Sequence, residues 1–226
     1  MKIKQFHKWE ITVSEAKKIQ ESLREKYLII ENRCENINTV AGADVSYSRG
    51  SDLLYSAVVV MELDTLKVVE KAYCIDKANF PYVPGYLSFR EAPVLMRSFE
   101  KLTNVPDVVI CDGHGIAHPR GFGLASHVGV LLDLPAVGVA KKKLVGEHAE
   151  LKENYGSSCD LIYKEKKVGI VFRSRAKVKP IYISPGHKVD FDKSLEIVKK
   201  TIKKYRLSEP VREAHRFVNE IRRMNS

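Results

Sequence analysis

Asp44, Glu91 and Asp112 are the residues of this chain whose types and positions invite chemistry. Asp44 interrupts the apolar run 39–47, and Asp112 ends the β-branched run 108–111 and opens into Gly113-His114-Gly115. Acidic side chains are almost never fully buried unless paired, so an Asp inside an apolar strand needs a cation, a hydrogen-bond network or an exposed position. Carboxyl groups ordinarily titrate at about pH 4. Three of them converging would repel one another unless a cation joined them. Oxygen donors favour Mg²⁺, with Mn²⁺ as a substitute, over zinc. Magnesium beside a basic surface suits phosphodiester hydrolysis, because it polarises the phosphoryl oxygen, activates water and stabilises the leaving oxygen. Lys141 could orient that water or neutralise the phosphate. His215 could act similarly or assist a second ion.

Each of these residues also has a plainer reading. Asp44 could be an outward-facing position in an alternating strand, and Asp112 could close a turn or cap the next helix. Ser88 and Glu91 match S-x-x-E, a helix capping box. His215 borders an apolar stripe, where a histidine is more often packed than a ligand. Other catalytic templates are missing: there is no G-x-x-x-x-G-K-[ST], G-x-S-x-G or H-E-x-x-H. His114 and His118 are four apart, but glycine and proline intervene, so helical metal spacing does not apply. The glycines at 113, 115, 121 and 123 would let a backbone close around a flat or charged ligand.

Charge narrows the partner. Residues 1–140 carry 16 Lys and Arg against 17 Asp and Glu, whereas residues 141–226 carry 22 against 11. The whole net charge of +10 therefore arises in the last third. Such asymmetry suggests a polyanion bound by one part while the other does the chemistry, the alternative being a basic solubilising surface. No segment approaches the ~18–20 apolar residues that span a bilayer, and the first residues show no signal core. No membrane association is expected. The cysteines at 34, 74, 111 and 159 lack C-x-x-C spacing. They read as buried thiols of a reducing cytoplasm.

These residues have to be positioned by the elements around them. A helix over 12–27 begins with a Thr12/Glu15 capping box. Strands at 39–47, 54–63 and 67–74 form an antiparallel meander. The corner Phe80-Pro81-Tyr82-Val83-Pro84-Gly85-Tyr86 is stiffened by two prolines. It either presents aromatics that stack on bases or packs Phe80 and Tyr82 inward. A helix runs on to about 102. Pro93 opposes a Ser88 N-cap, implying a distorted first turn or a helix that starts near Pro93. A strand at 108–111, a helix at 123–133 and a strand at 135–140 follow. Next come a hairpin (160–163 with 168–173), a strand at 181–184, and helices at 191–205 and 209–224. In the last helix Val211, Ala214, Val218 and Ile221 make the buried stripe. Three strands followed by βαβ is the order of a ribonuclease H-like α/β fold, a mixed sheet with helices on its faces. Lys141 should then emerge beside Asp112, at the same end of neighbouring parallel strands. One domain over 1–226 is expected, with a core at about 39–141 and the basic part, 142–226, packed on it.

With these motifs in order, the chain closely resembles endonuclease V. The resemblance rests on Phe80-Pro-Tyr-Val-Pro-Gly, Ser88-Phe-Arg-Glu91, Asp112-Gly-His-Gly and Ala117-His-Pro-Arg120. It continues through Ala125-Ser-His127, Val137-Gly-Val-Ala-Lys141, Ser184-Pro-Gly-His187 and Glu209-Pro-Val-Arg-Glu-Ala-His215. It implies a magnesium-dependent repair nuclease that recognises inosine in DNA. Such an enzyme cuts the second phosphodiester bond on the 3′ side, leaving 3′-hydroxyl and 5′-phosphate ends. By resemblance Asp44 and Asp112 are metal ligands, Glu91 the catalytic glutamate within the same metal centre, and Lys141 the lysine near the scissile phosphate. Tyr82, framed by Pro81, Val83 and Pro84, matches a strand-separating wedge. The backbone around Gly85, Leu87 and Gly113, with His118, would line the pocket of an extruded base. The family can carry Asp at the His215 position, and Val83 stands where isoleucine is common. A monomer is expected. Two alternatives remain: a ribonuclease for inosine-containing RNA using the same metal site, and a non-catalytic nucleic-acid-binding module.

Overall fold

The computed structural model describes residues 1–48 and 50–225. The first helix, α1 (Val13–Tyr27), carries the expected capping box. Glu15 accepts from the Thr12 backbone N–H at 2.7 Å, and Thr12 Oγ1 accepts from the Glu15 N–H at 3.3 Å. The strands β1 (Thr39–Tyr47), β2 (Leu53–Glu62) and β3 (Val68–Lys77) form the antiparallel meander. Then come α2 (Leu87–Glu100), β4 (Val108–Asp112), α3 (Leu124–Leu132) and β5 (Ala136–Ala140). The chain continues through β6 (Ser158–Tyr163), β7 (Lys166–Phe172), β8 (Ile181–His187), α4 (Phe191–Thr201) and α5 (Glu209–Met224).

All eight strands make one mixed sheet, in the order β3-β2-β1-β4-β5-β8-β7-β6. β1, β4 and β5 run parallel at its centre, and the remaining pairs are antiparallel. This is the α/β mixed sheet expected from the element order. The basic third contributes β6, β7 and β8 to the sheet itself and α5 to one of its faces. Strand alternation divides the core. Val40, Val59, Ile110 and Val137 meet Ile197, Val211 and Ala214 of α4 and α5. Ala41, Val60, Val109 and Cys111 meet Leu95 and Phe99 of α2 and Val128 of α3 on the other face. Burial on both faces is why these central strands read as unbroken apolar runs.

Two details depart from the sequence reading. Ser88 does not cap α2: the N-cap is Tyr86, no side chain caps it, and Pro93 lies inside the helix. The proline removes the bond to the Phe89 carbonyl, yet the helix continues because it is buried almost all round. Ser56 also pins it to the sheet, donating to the Val94 carbonyl at 2.8 Å. The helix expected over 191–205 ends earlier, at Thr201.

β1 carries one of the tightest backbone approaches among the described residues. A Cβ at Gly42 would lie 2.0 Å from the Pro210 carbonyl oxygen. Only glycine therefore lets the start of α5 rest on β1, two residues from Asp44.

Candidate active site

The sheet register brings the acids together. Ala43 pairs with Cys111 between parallel β1 and β4, so Asp44, within β1, and Asp112, the last residue of β4, emerge side by side where the parallel pairing ends. Asp112 pairs in turn with Val139 of β5, and Lys141 follows one turn of the pleat later. Lys141 Nζ reaches Asp112 Oδ2 at 2.6 Å, as the parallel arrangement predicts. From the opposite face α5 delivers His215, whose Nδ1 lies 2.7 Å from Asp44 Oδ2. Asn219, one turn on, donates to the His215 carbonyl at 2.7 Å. Ligand atoms of Asp44, Asp112 and His215 all lie within 4.8 Å of one another.

Glu91 sits beside this trio but is not part of it. Its carboxyl is buried and pushed up to about 8, first by desolvation and then by the charges of Asp44 and Asp112. Asp44 is also raised, by burial above all, with the His215 hydrogen bond opposing. His215 is raised chiefly by that same bond. The crowding of negative charge is what a divalent cation would relieve. Two carboxylate oxygens and an imidazole nitrogen at this spacing fit a hard cation that keeps several waters. The structure thus holds a candidate metal-binding cluster, with His215 in a place the acid-only reading had given to Glu91.

Next to Asp112, a cavity of about 180 Å³ opens under the proline-framed corner. It is lined by Tyr82, Val83, Pro84, Gly85, Leu87 and Gly113, with His118 and His114 on its wall. Of the pocket residues expected, only Pro81 is absent from the lining. Phe80 is buried, while Tyr82 stands 62% exposed. The corner therefore packs one ring inward and presents the other. Of the glycines after Asp112, Gly113 borders the cavity. Gly115 serves a different end: a Cβ there would lie 1.9 Å from the Pro185 carbonyl oxygen, so its smallness admits β8 rather than a ligand.

The corner is held from behind by His118, expected in the base pocket, and by Gln20, Arg90 and Arg120, to which sequence reasoning had given no role. Gly85, at φ 81°, turns its carbonyl toward the body of the protein. That oxygen accepts from His118 Nε2 at 3.0 Å and from Arg120 Nη2. His118 Nδ1 accepts from the Arg120 backbone N–H at 3.2 Å, which sets the ring as the neutral Nε2–H tautomer. Burial holds this imidazole at about 4. Gln20 of α1 donates to the Phe122 carbonyl at 2.5 Å and accepts from Arg120 Nε. Arg120 lies over the Tyr86 ring, 4.1 Å from its centroid. Arg90 Nη1 donates to the Phe80 carbonyl at 2.8 Å. Behind Ser88 runs a pair of imidazoles, His127 buried and His7 half-buried, with His127 Nδ1 3.1 Å from Ser88 Oγ and His127 Nε2 3.0 Å from His7 Nε2. Burial lowers both histidines, so the pair is neutral. The only sequence signal for this brace was polar residues embedded in apolar surroundings, such as Gln20 between Ile19 and Leu23.

Comparison with known proteins agrees with the geometry. The endonuclease V family profile matches residues 21–216. Endonuclease V of Nostoc punctiforme is 43% identical over 97% of this chain and 99% of its own length. The crystal structure of endonuclease V from Streptomyces avermitilis superposes with a TM-score of 0.91, at 36% identity, covering 96% of each chain. Ciona intestinalis endonuclease V, solved with a DNA containing an inosine followed by a ribo-adenosine, superposes at 0.83. It shares 29% identity, covering 96% of this chain and 100% of that one. Fold, site and relatives together define a nuclease, a hydrolase of nucleic-acid backbones. The chain belongs to the endonuclease V family. Among the described residues no helix is long and apolar enough to cross a membrane.

Proposed function

We propose that the protein repairs DNA by hydrolysing the second phosphodiester bond 3′ to a deaminated base, chiefly inosine, leaving 3′-hydroxyl and 5′-phosphate ends. One observation carries the reading: a cavity suited to a single nucleobase abuts a carboxylate cluster across Asp112 and Gly113. The Ciona relative, solved with inosine-containing DNA, supports the choice of base. Tyr82 enters the gap left by the extruded base, and the backbone at Gly85, Leu87 and Gly113 reads the base's edge.

Asp44, Asp112 and His215 would hold Mg²⁺, for which Mn²⁺ would substitute, with Glu91 at its margin. When bound, the ion polarises the phosphoryl oxygen and lowers the pKa of water. Glu91, relieved of its neighbours' repulsion, becomes a carboxylate able to take the proton of the attacking water. Lys141 Nζ sets a positive charge against the phosphate's non-bridging oxygens. His215, held by Asp44, fixes the geometry on the α5 side. The chain is proposed to act as a monomer and as one unit, in the reducing cytoplasm that its four free cysteines suit.

The test is an end-labelled inosine duplex resolved to the nucleotide, with Mg²⁺ or with EDTA, alongside an RNA strand of the same sequence. Cutting one nucleotide beyond inosine in DNA, abolished by EDTA, is the expected result. Faster cutting of the RNA would move the substrate assignment to RNA, a reading that the ribo-adenosine in the Ciona complex gives reason to test. No cutting of either strand would overturn the proposal.

A further inference from the structure

A second, larger hollow of about 580 Å³ opens at Lys141 and His215. It shares His215 with the metal-binding cluster, includes Lys141, the ion-pair partner of Asp112, and has no residue in common with the base cavity. Its floor is formed by Tyr205 and Leu207, in the loop before α5. Its far wall is one stripe of α5, at Arg212, Arg216, Asn219 and Arg223. These positions recur at helical spacing and lie off the buried stripe of Val211, Ala214, Val218 and Ile221.

The stripe is built for an anion next to a flat ring. No Asp or Glu lines the hollow. Glu209 and Glu213 stand behind it, tethering Arg212 and Arg216 at 2.6 Å each. Arg223 makes no ion pair among the described residues. The Arg212 guanidinium lies over the Tyr205 ring, its carbon 3.4 Å from the centroid. Tyr205 is nearly half exposed, so the stack has a face left to offer. Arg206 fixes the loop, donating to the Lys141 carbonyl at 2.7 Å and to the Pro180 carbonyl at 2.6 Å. The hollow is thus tied directly to the strand end that presents Lys141.

We propose that this hollow seats the nucleotide immediately 3′ of the scissile bond, its base on the Tyr205–Arg212 stack and its following phosphate on Arg216 and Arg223. The assignment rests on the cleavage reading above. With the lesion base in one cavity and the scissile phosphate at Lys141 and His215, the strand beyond the cut runs into the hollow that those two residues line. Stacking on an aromatic tolerates any base, and arginines neutralise phosphates regardless of sequence. The hollow therefore sets the cutting register without adding sequence preference. Tyr205, Arg216 and Arg223 act as positioning residues.

A cycle of enzyme and substrate changes tests this. The parental protein and Tyr205→Ala are given two inosine strands, one intact and one abasic at the nucleotide just 3′ of the cut. For the parental protein the abasic strand should raise KM about tenfold, with kcat nearly unchanged, the scale of one lost base stack. Tyr205→Ala should show the same rise on the intact strand and no further rise on the abasic one. Arg223→Gln, paired with a neutral methylphosphonate at the next phosphate, repeats the cycle at an exposed site that cannot disturb folding. Multiplying penalties in both cycles, with a parental protein that cuts beside inosine, overturn this assignment alone. A parental protein that fails to cut beside inosine overturns the cleavage reading and this assignment with it.

Discussion

Asp44 and Asp112 stand on neighbouring strands whose relative position is set by backbone pairing in the middle of the sheet. Tyr82 stands on a corner outside the sheet, held by side chains from α1, from the start of α2 and from the segment after β4. One wall of the cleft is therefore a product of register and the other of a polar brace. The difference separates what each wall can lose. Replacing an acid leaves the strands paired and removes chemistry. Loosening the brace leaves the acids in place and removes discrimination.

The sharpest break of this comparison is Asp112→Asn, which keeps shape and hydrogen bonding but removes charge. Single-turnover cutting should fall at least about a hundredfold, while inosine-strand affinity, read by anisotropy, changes little. Near-parental cutting at limiting Mg²⁺ would remove Asp112 from the centre. Tyr82→Ala should act on the other wall, lowering the preference for inosine over adenine about tenfold in competition assays. Unchanged preference would mean that the exposed ring never meets the strand.

Gln20→Leu strikes the brace without touching substrate. It leaves the Arg120 Nε donor unpaired, at a cost of about 1–3 kcal/mol. Tm should drop by several degrees and inosine KM should rise, with kcat preserved. Loss of kcat at constant KM would show that the two walls are coupled.

A pH titration separates them again. Glu91 ordinarily titrates at 4.5 and is raised to about 8 here. Between those values the native state keeps a proton that the unfolded chain releases, so stability should fall as pH rises through this window. Mg²⁺ or Glu91→Gln should flatten that slope in denaturant titrations, and a slope indifferent to both would contradict the crowding of acids. The smallest effect is expected far from either wall. Glu70 accepts four hydrogen bonds from Thr103 and Asn104 and is lowered to about 2. Glu70→Gln should cost about 1 kcal/mol at neutral pH. That loss should vanish as pH falls from 4.5 toward 2, where the native carboxylate takes up its proton, and activity should not change.

The register-built wall was the legible one. Asp44 within an apolar run and Asp112 at the end of another announce their positions, because strand periodicity and parallel pairing are local rules. Lys141 followed from the same logic. The brace was not legible, since Gln20 and Arg120 meet across 100 residues of chain. The helix start at Leu87 was also misread. Local rules place a proline in the first turn, but burial of nearly every face of α2 outweighs the bond that Pro93 forgoes. His215 was visible as a candidate. Its pairing with Asp44 depended on how α5 crosses β1, which the bare Gly42 permits and no periodicity reveals.

That crossing makes competence a late event in the life of the molecule. In chain order the meander and the parallel strands, with both aspartates, are all made before α5. Until synthesis has passed residue 223, the arginine wall is incomplete, and until residue 215 is made no imidazole can face Asp44. A chain without α5 would thus keep both acids and lose the imidazole that faces Asp44, together with the helix that rests on Gly42.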